Sequence, residues 1–168
     1  MSLSPTSEFD AFVAARQSAL LHLARLLTGG DRHRAEDLLQ EALVKLWLAW
    51  RRVGDQAPEA YIRRVLVRAA ARSARRRWWN ERPTGDLPET GTTADEAVLV
   101  DERTRLETAL AALSAKQRAA VVLRYYQDLP EAQVAELLEC PVGTVRSHTA
   151  RGVAQLRRLL GSVLEPTD

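Results

Sequence analysis

Apolar residues recur at three- and four-residue spacing through most of this chain, and nowhere do they alternate as in a half-buried strand. Between residues 5 and 27, Phe9, Phe12, Val13, Leu20, Leu23, Ala24 and Leu27 share one helical face, and Gly29-Gly30 ends the helix. A second helix opens behind Asp31, a suitable N-cap, and carries Ala35, Leu38, Leu39, Ala42, Leu43, Leu46, Trp47 and Trp50 on its inner side. The break from Gly54 to Pro58 precedes a third helix running to about Trp79, with Ile62, Val65, Leu66, Ala69 and Ser73 facing the bundle. The character then changes. Residues 83–102 hold two prolines, two glycines, six acidic residues and no basic one, a composition that predicts a linker at least as far as Thr93. Helical spacing resumes near Asp95 and continues through Leu113. Ser114 with Gln117 then forms a capping box for a helix bearing Val121, Val122, Leu123 and Tyr126. The pattern predicts an all-α protein: two small helical domains, residues 5–80 and 105–164, joined by an acidic linker over 81–104.

The last part of the pattern is the most specific. Pro130, a good first helical position, opens a short helix that buries Val134, Ala135, Leu137 and Leu138. Pro141 restarts helix, with Val142, Val145, Thr149, Val153, Leu156 and Leu160 as the inner stripe and Thr144, Arg146, Ser147, His148 and Arg151 left outward. Residues 141–160 contain four arginines and no carboxylate, so this outer face suits a phosphate backbone. Two short helices with a tight turn and a cationic second helix are the sequence form of a helix-turn-helix, whose second helix enters the DNA major groove. An amphipathic helix with a solvated basic face gives the same pattern.

Two further surfaces stand out. On the third helix Arg64, Arg68, Arg72, Arg75 and Trp79 fall within one stripe, with Arg76 and Trp78 beside it; residues 61–82 hold eight arginines against one carboxylate, Glu81. Clustered cations repel one another unless an anion neutralises them, and tryptophans stack on unpaired bases at about 1–3 kcal/mol per base. The alternative is a solvated cationic face. On the second helix Asp37, Glu41, Val44 and Leu48 lie beside the core stripe, flanked by Gln40 and Lys45. Acids followed by apolar residues outside the main stripe suit a partner helix, unless Val44 and Leu48 pack on the first helix of the same bundle. The linker is a solvated tether, a tenant of a channel built for nucleic acid, or a shield for the basic faces.

Composition narrows the function classes. With 46% hydrophobic and 27% charged residues the chain is globular, and its net charge of +2 is small enough that distribution matters more than total. Twenty-two arginines against two lysines is a bias that a G- and C-rich genome produces. The single cysteine, Cys140, excludes an internal disulfide and a cysteine-rich zinc site, and three scattered histidines argue against any metal. No Gly-rich phosphate loop, His–Glu metal spacing or nucleophile elbow is present, so neither an enzyme nor a cofactor is expected. The N-terminus has no signal-peptide pattern, and the most apolar run, residues 19–27, is interrupted by His22 and Arg25. A cytoplasmic protein without membrane insertion is the expectation.

Taken together, three stretches resemble one family. EDLLQEALVKLWLAW (residues 36–50) is similar to the core-polymerase-binding helix of bacterial sigma factors. PEAYIRRVLVRAAARSARRR (58–77) resembles their promoter-melting helix, and LSAKQRAAVVLRYYQDLPEAQVAELLECPVGTVRSHTARGVAQLR (113–157) their C-terminal domain. Order, spacing and length resemble the extracytoplasmic-function (ECF) group of the actinobacterial kind, which keeps two domains. The resemblance implies that Asp37, Gln40, Glu41 and Leu43, with Val44 and Leu48, dock on the clamp helices of the largest subunit of core RNA polymerase. It implies that Arg64, Arg68, Arg72, Arg75, Arg76, Trp78 and Trp79, with the loop 53–58, capture the non-template strand of the −10 element. Thr144, Arg146, Ser147, His148 and Arg151 would read the −35 element as duplex, and the linker would thread toward the active-site cleft. Promoter DNA and polymerase are the implied partners, and family members are also held by anti-sigma factors.

The chain departs from the family pattern at four positions. Arg68 stands where the melting helix usually has asparagine, Glu139 where the turn usually has glycine, Pro141 where the recognition helix usually has a capping serine, and His148 where arginine is common. A glutamate in that turn must adopt a left-handed conformation at ~1 kcal/mol or reshape it. The few residues beyond Leu160 predict no added sensory domain. The rival readings are a stand-alone helix-turn-helix regulator that binds an operator as a dimer, and an adaptor or anti-sigma-type protein whose basic faces only solubilise it.

Overall fold

The computed structural model describes residues 4–80 and 97–161, with side chains in 4–73 and 102–161. Each helix begins and ends where short-range chemistry directs it. Ser4 caps α1 (Pro5–Leu27) by accepting from Ser7 N–H at 3.3 Å, and Pro5 occupies the first turn, where its missing N–H costs nothing. At the other end the Thr28 hydroxyl, buried, donates to Ala24 C=O at 2.9 Å, and Gly29 (φ 66) and Gly30 (φ 85) take left-handed conformations. Asp31 caps α2 (Arg32–Val53) through Arg34 N–H at 3.2 Å, as its sequence position predicts. After the turn that follows Gly54, α3 runs Pro58–Asn80.

Helix α4 (Ala97–Ala112) starts inside the stretch read as linker, at a point where Ala97, Val98, Leu99 and Val100 replace the glycines and prolines. Ser114 caps α5 (Ala115–Val121) through Gln117 N–H at 3.2 Å. The chain continues without a break into a π-helical segment, Val122–Tyr126, closed by Gln127 N–H on Val122 C=O at 3.1 Å. Helices α6 (Glu131–Leu138) and α7 (Val142–Leu160) complete the order, with Pro130 and Pro141 as extended residues just ahead of each. Pro130 therefore stands one position before the helix it was expected to open. Among the described residues there is no strand.

Helices α1–α3 form one layered group. Leu23, Leu46, Ile62 and Leu66 are all but fully buried at its centre. Phe9 meets Trp47 and Trp50 edge-on at 5.0 and 5.2 Å, a favoured aromatic geometry. Helices α4–α7 form the second group around Leu110, Leu113, Leu123, Val134 and Val145. Gly152 of α7 is buried against α5: a Cβ there would lie 2.6 Å from Val121 Cγ2, so the helices approach too closely for a side chain.

The two groups share one apolar cluster rather than standing apart. Arg25 of α1 pairs with Glu107 of α4 at 3.2 Å where both are largely buried. Arg118 of α5 donates to Leu27 C=O at 3.2 Å. Gly29 lies against α4 so closely that a Cβ would sit 2.7 Å from Ala111 Cα. On the other side of the molecule α6 lies against α3.

Candidate nucleic-acid and partner interfaces

On α7 the stripe inferred from spacing divides as follows. Val145 is fully buried, as is Val134 of α6, in the core between these two packed helices. Arg146, Ser147 and Arg151 are exposed on the opposite side, whereas Thr144 and His148 are half-buried. His148 was expected to face outward with the arginines. Instead burial, and then the charges of Lys116 on α5 and Arg151, lower its pKa from the ordinary histidine value. That shift favours the neutral ring, so His148 contributes less charge to the face than the arginines do. The arginine side chain of Arg146 is not unpartnered: its Nε donates to Glu131 Oε2, at the first turn of α6, at 2.8 Å.

The turn between α6 and α7 resolves the question posed by Glu139. It adopts φ 54, ψ 47, the left-handed option, while its N–H and that of Cys140 return to carbonyls in the last turn of α6. This hydrogen-bonding closes the helix as a glycine would, at the cost of a Cβ in a disfavoured region.

The α3 stripe lies partly under the helix-turn-helix. Arg64, Arg68 and Arg72 are exposed, as the angular pattern predicts. Arg64 and Arg68 line a cavity of about 290 Å³ whose opposite wall is Gln133, Glu136 and Leu137 of α6 together with Leu129. Arg68 Nη2 is 3.8 Å from Glu139 Oε1, and Arg72 Nη2 is 3.4 Å from Glu41 Oε1. The anions that such a row of cations needs are thus supplied, for these two, by the same chain. Sequence spacing gave no sign of either pairing. Helix α3 continues past these residues to Asn80, but the side chains of Arg75, Arg76, Trp78 and Trp79 lie outside the described residues.

Of the six positions singled out on α2, five are exposed and Leu43 is half-buried. Val44 is 59% and Leu48 79% exposed, so neither packs on α1. Trp47, assigned to the core by spacing, is 44% exposed: its ring touches Phe9 on one side and extends the apolar surface of Val44 and Leu48 on the other. Asp37 and Glu41 border that surface and, with Arg34, Leu38, Ala69, Arg72 and Ser73, line a groove of about 180 Å³ between α2 and α3. Lys45 Nζ reaches Glu41 Oε1 at 3.0 Å. Among the described residues no group of three or more His, Cys, Asp or Glu is placed to hold a metal, and no helix is long and apolar enough to cross a membrane.

Comparison with known proteins gives this arrangement its context. Residues 12–80 match the Sigma-70 region 2 family and residues 103–156 match Sigma-70, region 4. The RNA polymerase sigma-E factor of Streptomyces avermitilis is 37% identical over 92% of this chain and 86% of its own length. The ECF RNA polymerase sigma factor SigM of Mycobacterium tuberculosis is 34% identical over 91% of this chain and 77% of its own. Among solved structures, the sigma factor RpoE of Bartonella quintana, in complex with the anti-sigma factor NepR, superposes with a TM-score of 0.65 over 90% of this chain and 96% of that one. At 23% identity, that likeness speaks to the fold. With two sigma regions in order and relatives matched over about nine-tenths of this chain, the chain belongs to the ECF sigma factors, non-enzymatic proteins that direct RNA polymerase core to promoter DNA for transcription initiation.

Proposed function

We propose that the three surfaces divide the work of initiation as follows. The outer face of α2, with Asp37, Gln40, Glu41, Leu43, Val44 and Leu48, docks on the clamp helices of the largest polymerase subunit. The arginine face of α3, with Arg64, Arg68, Arg72, Arg75 and Arg76 and the tryptophans Trp78 and Trp79, captures the melted −10 strand. Arg146, Ser147 and Arg151, with Thr144 and His148 at their edge, read the −35 duplex. Residues 5–80 and 105–164 act as the two domains and 81–104 as the connection between them. The observation that carries this reading is the exposure of Val44 and Leu48 beside two carboxylates, because an apolar pair left in water on a helix is explained by a partner.

Neither DNA surface is large, and holding both on one polymerase makes the second contact intramolecular, which multiplies affinity without new contacts. Unpairing the −10 segment costs a few kcal/mol, which cations and stacking aromatics offset. The action takes place in the cytoplasm, where polymerase and promoters are. An anti-sigma factor is a further partner, a reading supported by the NepR complex of the structural neighbour.

Run-off transcription with purified core polymerase on genomic fragments tests the whole. A promoter-specific transcript that requires this protein is the expected result. Tight retardation of duplex DNA by the protein alone, with no specific transcript, would overturn it in favour of the stand-alone regulator.

A further inference from the structure

Arg146 is the side chain at the middle of the exposed face of α7, and its guanidinium is already held by a residue outside that helix. Glu131 Oε2 accepts from Arg146 Nε at 2.8 Å. The two residues come from different helices, and the fully buried Val134 and Val145 fix those helices against each other. Glu131 is therefore anchored on a rigid neighbour, with its side chain 33% exposed, whereas Arg146 is 69% exposed. We propose that Glu131 is a positioning residue that aims Arg146 at the DNA and so sets base discrimination in the upstream element; this rests on α7 being the −35 reader.

The chemistry follows from the guanidinium fork. Arginine presents five N–H groups in one plane, and a carboxylate on Nε leaves the terminal edge, formed by Nη1 and Nη2, facing away from Glu131. That edge makes the two parallel hydrogen bonds by which arginine reads guanine O6 and N7. An exposed arginine without such a partner spreads over many rotamers and must lose that freedom on binding. The contact with Glu131 narrows that freedom beforehand.

A carboxylate at the DNA-facing edge repels phosphates, so deleting it adds one net positive charge and favours sequence-independent binding. Positioning predicts the opposite for discrimination. A glutamate whose only role is to complement the positive N-terminus of α6 would change stability and leave base preference as it was.

The experiment compares holoenzymes carrying wild-type protein, Glu131→Ala, Glu131→Gln and Arg146→Ala on a promoter from the run-off screen, with each −35 base pair substituted in turn. Thermal melting of each variant is followed in parallel. A single bidentate contact discriminates between bases by about five- to 150-fold. Arg146→Ala is expected to erase a ratio in that range at one or two base pairs. Glu131→Ala should lower the ratio at those same pairs by at least about five-fold, while binding to unrelated duplex holds or rises. Glu131→Gln, which keeps an acceptor for Nε, should fall between. Unchanged ratios for both Glu131 variants, with Arg146→Ala still erasing them, would overturn the positioning role and leave the −35 reading intact. If Arg146→Ala itself alters no ratio, the assignment of Arg146 fails and the proposal fails with it.

Discussion

Arg68 on α3 faces Glu139 in the helix-turn-helix turn, Nη2 to Oε1, at 3.8 Å. Both residues stand where the family pattern has something else, and each supplies what the other lacks: a cation on α3, and a carboxylate on the turn lying over it. Both side chains are at least half exposed, so the pair itself contributes at most ~1 kcal/mol. Its significance is geometric. The surface read as the −10 strand's site is lined, in this conformation, by α6.

Glu139 pays a conformational cost that glycine would not. Its φ of 54 costs roughly 1 kcal/mol for a residue with a Cβ, against a surface ion pair worth less. Glu139→Gly is expected to leave stability unchanged or raise it by up to ~1 kcal/mol, read as a thermal midpoint. A loss beyond ~1 kcal/mol would mean that the pair with Arg68 counts for more than its exposure allows.

The α2 face separates fold from partner binding. Asp37 and Glu41 are exposed, and the contacts of Glu41 with Lys45 and Arg72 are surface pairs. Asp37→Arg with Glu41→Arg should therefore cost no more than ~1 kcal/mol of stability while abolishing binding to core polymerase. Leu48→Ser, at a position 79% exposed, should change stability by less than about 0.5 kcal/mol and still weaken core binding. Equal core affinity for these variants would remove the docking assignment.

Arg118 ties the two helical groups together. Its guanidinium donates to Leu110 C=O at 2.8 Å and Ala111 C=O at 3.2 Å at the end of α4, to Leu113 C=O just past it at 3.1 Å, and to Leu27 C=O of α1 at 3.2 Å. Arg118→Met keeps the stem but leaves helix-end carbonyls without their charged donor. The expected loss is about 2–4 kcal/mol, a fall in thermal midpoint on the order of 5–12 °C.

His22 makes that same junction sensitive to acid. Its ring meets Tyr126 edge-on at 5.0 Å, and Arg25 of its own helix and Arg103 and Glu107 of α4 surround it. Burial first, then Arg103 and Arg25, lower its pKa, and Glu107 opposes them only in part. A histidine depressed in the folded state binds its proton more readily when unfolded. Stability is then full above the ordinary value of about 6.5 and declines as pH falls from there toward the lowered folded value. His22→Gln should flatten the slope of thermal midpoint against pH below about 6.5. An unchanged slope would assign the acid sensitivity to other groups.

Local chemistry determined much of this protein. Caps at Asp31 and Ser114, the stop at Gly29-Gly30, and the spacing of Leu20, Leu23, Ala24 and Leu27 are short-range signals, and the helices follow them. At Glu139 the sequence posed two outcomes, a left-handed residue or a reshaped turn, and the structure takes the first. What spacing could not decide was which neighbour covers each helical face. The period marks Trp47 as apolar, yet only the placement of α1 leaves it half in water beside Val44 and Leu48. Gly152 looks like a weak point in a helix until α5 comes within a methyl group of it. The pairs Arg68–Glu139, Arg72–Glu41 and Arg146–Glu131 each join different elements. Periodicity within one helix carries no information about the angle at which another crosses it, so these contacts belong to the tertiary structure alone.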